Sequence, residues 1–511
     1  MDIGYLIRTA YSREDQGGRP AYTVGDDTLT WAQLADRARS MITALDGLGV
    51  RPGERVGMLL GNSVDYLPLY LAITSMGAIA VRLNFRLGAD ELSYILGNAA
   101  CTVLVVDHEY AANVPGDAAG PDDGRALVVV QRGGASRADG WLDLGSVADD
   151  APPAPLPGPR EASEPAMIMY TSGTTGLPKG AVWTHGGTMA FGLSQAARWP
   201  MSSRTATLVC GPMYHVGGLE DALLPTLIQG GHSIAMPSGG FTVDAAFAVI
   251  ERHGVSDAFF FPFMIYEILG RADLARQGAS LSAIYTGGEN LQHRVLDELP
   301  ATLPGIELHQ VYGLTEGTPI IATSGWAEMR LNPSSVGYPM PMCEISIRDD
   351  EGQIVPDGVS GEIWTRSDTV SREYWRNAEA TERTFVDGWC ATGDSGLIDE
   401  HGMLEIVGRK KDMIRSGGEN IYPAELENVL TKHPAVADVA VIGVPDPKWV
   451  ETVCAVVVLR PGASLTLEEL VAFSRERLAG YKQPRRLEIV DELPRTASGK
   501  VQKFVLRQGR R

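Results

Sequence analysis

The residues able to do chemistry concentrate in five short stretches. The first, residues 170–180, reads Tyr-Thr-Ser-Gly-Thr-Thr-Gly-Leu-Pro-Lys-Gly and follows an apolar, strand-like run over 166–170. Gly173 and Gly176 let the backbone bend tightly and come close to a ligand. Successive N–H groups in such a bend form a nest for anionic oxygens. Thr171, Ser172, Thr174 and Thr175 add hydroxyl donors and Lys179 adds a point charge. The expected chemistry is phosphate binding. The Walker A spacing is not met, because Pro178 stands where its second glycine would be. The plain alternative is a hairpin loop of ordinary turn residues.

The other four stretches lie further along. Tyr312-Gly313-Leu314-Thr315-Glu316 follows a strand-like run over 307–311. A carboxylate near a triphosphate repels it unless it holds Mg²⁺, a hard cation that prefers oxygen ligands. We assign Glu316 to metal and Thr315 to the α-phosphate, against a simple strand end and turn. Gly388-Trp389-Cys390-Ala391-Thr392-Gly393-Asp394 puts a carboxylate in a tight turn, where it could accept both hydroxyls of a ribose. Arg409, in the run Gly408 to Asp412, suits ribose or phosphate; otherwise that run is a solvated charged turn. Lys500, after Ser498 and Gly499, sits on a Gly-flanked loop near the C-terminus. A cation there could close on a developing phosphorane, although lone lysines near a terminus are usually solvated surface.

These stretches need a frame. A T-x-x-Q capping box, Thr30 to Gln33, opens a helical period with Trp31, Leu34, Ala38, Met41, Ile42 and Leu45 on one face. Strand-like runs at 56–60 and 102–106 alternate with a helix over 64–78, which implies parallel β-α-β units. Residues 111–165, rich in Ala, Pro, Gly and Asp, read as a loose surface connection around one short strand at 126–130. Strand and helix alternate again over 166–345, and 346–407 is richer in short β runs. After Gly408 the pattern becomes compact α+β, with strands at 439–444, 453–459 and 487–490 and a second capping box, Thr466 to Glu469. The expected fold class is α/β: a large N-terminal domain of α/β layers with a β-rich subdomain, residues 1–410, and a small α+β C-terminal domain, 411–511.

Composition narrows the partners. The chain has 511 residues and a net charge of −19, so a nucleic-acid partner, which needs a basic face, is not expected. Its five cysteines are scattered without a C-x-x-C pair, against a disulfide framework or zinc site and in favour of a reducing cytoplasm. No signal peptide is read at Met1 to Tyr5. The longest apolar run, 66–81, contains Pro68 and Gly77 and is too short for a membrane span.

Taken together, the stretches resemble the adenylate-forming superfamily of acyl- and aryl-CoA synthetases, luciferases and peptide-synthetase adenylation domains. Pro212-Met213-Tyr214-His215, Gly287-Gly288 and the lysine loop ending at Lys503 complete the likeness, which runs from the N-terminal helix almost to the C-terminus. The resemblance implies that MgATP and a small-molecule carboxylic acid give an acyl-adenylate and pyrophosphate, and that CoA then displaces AMP. It implies that residues 171–179 hold the β- and γ-phosphates. Gly288 with Glu289, Gln310, Tyr312 and Gly313 surround the nucleotide, Asp394 and Arg409 take the ribose, and Lys500 bridges carboxylate and α-phosphate. Lys411 becomes the hinge of a lid, and Gly417-Gly418 lets a pantetheine arm pass. His215 gates the acyl pocket and orients the carboxylate, with Val216, Glu220, Phe261, Phe263 and Gly287 beside it. A homodimer stays open.

The sequence also departs from the pattern. Gly287-Gly288 is followed by Glu289-Asn290 rather than a small residue and proline. Val450 replaces a glycine common after the segment near the CoA nucleotide. Glu220 and Asp221 stand where neutral residues are commoner, either as partners for a substrate amine or hydroxyl or as solvated helix charges. Phe259, Phe260, Phe261 and Phe263 form either an aromatic wall favouring a flat acid or plain core. Acyl- or aryl-CoA ligation is the leading function. A diazotase activating nitrite for an aromatic amine and adenylation with transfer to a carrier-protein thiol are the alternatives.

Overall fold

The computed structural model describes the chain except residues 11–16, 117, 135–136, 172–176, 289–290, 417–418, 476, 496–500 and 509–511, and the side chains of 318, 419, 420 and 508. Among the described residues the strands form four sheets. Two are large and mainly parallel. In the first, Glu307–Leu314, Ala283–Gly287, Asp257–Phe259, Ala206–Val209, His232–Ala235 and Pro20–Val24 run parallel, with antiparallel strands at the edges. The second runs parallel from Leu142–Asp143 to Pro165–Thr171 and ends in an antiparallel hairpin with Lys179–Thr184. Val103–Asp107 is buried at every position, as expected of a strand covered on both faces.

The helix Trp31–Gly47 starts at the expected capping box, with Thr30 and Gln33 bonded reciprocally. Its apolar face packs on Tyr66–Ser75, a helix buried on all sides, and one hydrophobic core joins both large sheets. Stretch 111–165 is less loose than its composition suggests. Val128–Arg132 and Leu142–Asp143 extend the second sheet, and Leu144–Ala148 forms a short helix whose N-cap is Asp143.

The third sheet is antiparallel and built from 344–409. The fourth uses only strands from Ile414 onward, and the C-terminal unit has cores of its own. Its helix Leu467–Ser474 begins at the second capping box, Thr466 with Glu469. The last helix, Lys503–Gln508, is tied down by Lys503–Glu427 at 2.7 Å and Arg507–Asp412 at 2.9 Å. Among the described residues no helix is long and apolar enough to cross a membrane.

Candidate active site

In the hairpin of the second sheet Thr171 and Lys179, from the first candidate stretch, face each other in register; Ser172, Gly173, Thr174, Thr175 and Gly176 lie outside the described residues. Strand Glu307–Leu314 ends at the turn carrying Thr315 and Glu316, and this turn meets the hairpin. Thr171 Oγ1 and the Tyr374 hydroxyl both donate to Glu316 Oε1, at 2.8 and 3.0 Å. The Glu316 carbonyl accepts from Ser371 N–H at 2.9 Å, and the Thr315 carbonyl from Trp183 Nε1 at 3.0 Å. Lys179 Nζ stands 5.3 Å from the Tyr374 ring centroid. Burial, reinforced by the Glu316 carboxylate, pushes the Tyr374 phenol up and keeps it a donor. Tyr374 had no motif to announce it; it arrives because Ala181 bridges to it across strands.

A second cluster joins the first and third sheets. Asp394 and Arg409 are register partners on adjacent antiparallel strands, with Arg409 Nε 3.0 Å from Asp394 Oδ1. The Tyr312 hydroxyl donates to Asp394 Oδ2 at 2.9 Å, and burial followed by the Asp394 charge pushes its phenol well up. Gly393, at φ +72°, lies where the pairing with Gly361–Arg366 shifts register, so Asp394 stands on the continuous strand Trp389–Ile398 rather than in the expected tight turn. Asp394 is 5% exposed, and although Arg409 neutralises Oδ1, no aligned donor reaches that atom among the described residues. A buried, charged acceptor without a donor is what a ligand hydroxyl would satisfy.

The neighbouring strands supply the surroundings. Gln310 lies beside Thr286, and Val311 beside Gly287, where an added Cβ would stand 2.6 Å from the Val311 carbonyl oxygen. Gly288 is exposed, at φ +97°, a conformation suited to glycine. The register shifts between Tyr312 and Leu314, bulging the strand at Gly313; such bulges re-aim side chains beside active sites. Glu289 lies outside the described residues.

His215 caps the helix Val216–Gly218, its Nδ1 accepting from Gly217 N–H at 3.1 Å. A neutral imidazole in this arrangement carries its proton on Nε2. Val216 is buried beside it. Neither alternative for Glu220 holds: it is fully buried, within a π-helix at Leu219–Leu223, and its Oε2 lies 2.6 Å from Arg82 Nη2. Asp221 is buried too, rather than solvated. The phenylalanines divide. Phe259, Phe260 and Phe261 are core, the Phe261 ring filling the space a Cβ on Gly211 would need. Phe263 is 37% exposed and stacks parallel to Phe261 at 6.3 Å. Of the four, only Phe263 is exposed.

In the C-terminal part, Lys411 is exposed and follows Arg409 through a turn closed by Asp412 N–H on the Arg409 carbonyl at 3.0 Å. Ser416, just before Gly417 and Gly418, pairs with Val450, which adopts φ +72°. Gly417, Gly418 and Lys500 lie outside the described residues.

Comparison with known proteins gives the family. The family model described as "AMP-binding enzyme" matches residues 10–375, and "AMP-binding enzyme C-terminal domain" matches 425–500. The chain is 38% identical over 493 residues to a feruloyl-CoA synthase of Amycolatopsis sp, covering 95% of this chain and 94% of that one. It is 35% identical over 500 residues to an indoleacetate–CoA ligase of Aromatoleum aromaticum, covering 96% and 95%. Its structure superposes on the anthranilate CoA ligase AuaEII in complex with anthranoyl-AMP with a TM-score of 0.88 at 28% identity, covering 100% of this chain and 97% of that one. The expected fold, a large N-terminal domain followed by a C-terminal one, stands with these likenesses, and the chain belongs to the family of AMP-binding, adenylate-forming enzymes.

Proposed function

We propose that the chain is an AMP-forming acid–thiol ligase that activates an aromatic carboxylic acid with ATP and passes the acyl group to CoA. One observation carries the adenylation half: Thr171, Lys179, Thr315, Tyr374 and Glu316 converge where the hairpin meets the end of strand Glu307–Leu314. The aromatic acid is supported by the named relatives, whose feruloyl, indoleacetate and anthranoyl groups are all aromatic, and by the Phe261–Phe263 pair.

Two anions must be brought together. Thr171 and Lys179 would take the β- and γ-phosphates and Thr315 the α-phosphate. Glu316, its Oε1 already fixed by two donors, is the carboxylate that would hold Mg²⁺. Mg²⁺ held there would offset the charge of the phosphates. Asp394 Oδ1 takes a ribose hydroxyl, and Gly287, Gly288, Gln310 and Tyr312 flank the base. His215 directs Nε2–H toward the substrate carboxylate, which attacks the α-phosphorus while Lys500 balances the growing charge. Pyrophosphate leaves. In the second half the CoA thiol, losing its proton, attacks the acyl carbonyl beside Gly417 and Gly418, and AMP leaves as the thioester forms. We place the boundary between the adenylation domain, 1–410, and a mobile lid, 411–511, at the hinge Lys411. ATP and CoA put the enzyme in the cytoplasm. A homodimer is compatible with every step, since each uses residues of one chain.

The test is AMP and pyrophosphate release from ATP and Mg²⁺ across hydroxycinnamates, arylacetates, aminobenzoates and fatty acids, each with and without CoA. Turnover with an aromatic acid that needs CoA to finish is the expected result. Release that depends on nitrite plus an aromatic amine, indifferent to CoA, overturns it in favour of diazotisation.

A further inference from the structure

Strand Ile79–Arg82 is buried throughout and sits inside a parallel sheet, between Arg55–Leu59 and Pro165–Thr171. A charged residue closing so apolar a strand is unusual, and Arg82 has a specific destination. Its Nη2 lies 2.6 Å from Glu220 Oε2, and its Nη1 donates to the Met213 carbonyl at 3.1 Å. The guanidinium also stands 5.7 Å from the Tyr70 ring centroid. Both charged side chains have 0% exposure. The Met213 N–H is held as firmly, donating to Asn62 Oδ1 at 2.7 Å. Asn62 Nδ2 in turn donates to the carbonyls of Gly211 and Met236, at 2.9 and 2.8 Å.

These bonds bracket His215. Arg82 grips the peptide two residues before it and the carboxylate five residues after it, so the segment 213–220 is pinned from the opposite sheet at both ends. Between the pins the segment folds back on itself. Gly218 lies so close to Pro212 that a Cβ would stand 2.3 Å from the Pro212 carbonyl oxygen, and Gly218 N–H donates to the His215 carbonyl at 3.0 Å. The helix that follows is π-type over Leu219–Leu223, a form that appears frequently at functional sites. A buried ion pair is weak evidence of stability, because apolar residues of similar volume often serve as well. Its retention here calls for another role.

We propose that Arg82 and Glu220 form a positioning pair that fixes the His215 segment against the second sheet and so sets how the substrate carboxylate is presented to ATP. The inference rests on the ligase reading, in which His215 meets that carboxylate. Neither residue touches substrate; both act through the 213–220 backbone. Misplacement of about 1 Å far from the chemistry can cost about 100-fold in rate.

The experiment first requires wild-type enzyme with acid-dependent pyrophosphate release; failure at that step refutes the ligase reading and leaves the pair aside. With an active acid in hand, the double variant Arg82→Met/Glu220→Leu and the single variant Arg82→Lys are compared with wild type. The double variant exchanges the ion pair for apolar volume, whereas lysine keeps the charge and loses the fork that serves Met213 and Glu220 together. The expected result is a melting temperature equal to or above wild type for the double variant. With it comes a drop of about 10–100-fold in kcat/KM for the acid, and an unchanged KM for ATP in both variants. Wild-type acid kinetics in either folded variant overturns the proposal. Loss of folding in both also overturns it, by assigning the pair to stability, and so does an equal rise in KM for ATP and acid.

Discussion

Asp394→Asn offers a quantitative test of the nucleotide site. The carboxylate is 5% exposed, accepts from Tyr312 on Oδ2 at 2.9 Å, and presents Oδ1 to Arg409 without an aligned donor. A ribose hydroxyl that donates to Oδ1 makes one charge-assisted hydrogen bond, with a net value of about 1.5–3 kcal/mol. Asparagine keeps the shape and removes the charge, so the Kd for ATP should rise about 10–150-fold. The KM for the acid should not move. Arg409, whose side chain is 46% exposed, can turn to solvent, so the melting temperature should change little. Calorimetry with ATP and its 2′-deoxy and 3′-deoxy analogues completes a double-mutant cycle. Whichever hydroxyl meets Oδ1 should lose its contribution in the variant. Unchanged ATP affinity in a folded variant, or strictly additive losses for both analogues, refutes the reasoning.

Other outcomes follow from the proposed roles and from the fold. Lys500→Ala should cripple adenylation while sparing thioester formation from supplied acyl-AMP, and Lys411→Pro should do the reverse; equal loss of both half-reactions in either variant refutes its role. Val450→Gly should hold or raise the melting temperature, because φ +72° strains a β-branched residue; a drop as large as for an ordinary strand valine would show that no strain is stored there. His185, His232 and His309 are each pushed down to about 4 by burial, whereas the unfolded chain binds those protons below about 6.5. The unfolded state therefore holds more protons between these values, and stability should fall as pH drops from about 6.5 toward 4, then level off. Thermal melts across that window check it, and a flat profile would contradict it.

What the sequence revealed was mostly what neighbours in sequence decide. The capping boxes at Thr30 and Thr466 require only a hydroxyl and a side chain three residues on, and both formed as expected. The short strand expected at 126–130 formed at Val128–Arg132, but Leu142–Asp143 beside it was harder to see. Their partners come from the sheet beyond, and the surrounding Ala, Pro and Gly hide a pairing that is not local. The phenylalanines illustrate the same limit, since composition cannot separate Phe260 at 0% exposure from Phe263 at 37%.

Glu220 shows why the remaining features escape a linear reading. On a helix, an acidic residue without a nearby cation suggests solvent or ligand, and its partner, Arg82, lies 138 residues earlier on another sheet. Each charge is anomalous alone; together they neutralise each other in the core. The signal was nevertheless present in Arg82, a cation ending the buried strand Ile79–Arg82, because a desolvated charge must have a counter-charge somewhere in the fold. Tyr374 reaches Glu316 in the same way, across 58 residues. Glu316 and Asp394 are thus legible as parts of motifs. The residues that hold the motifs in place become visible only once distant strands are brought side by side.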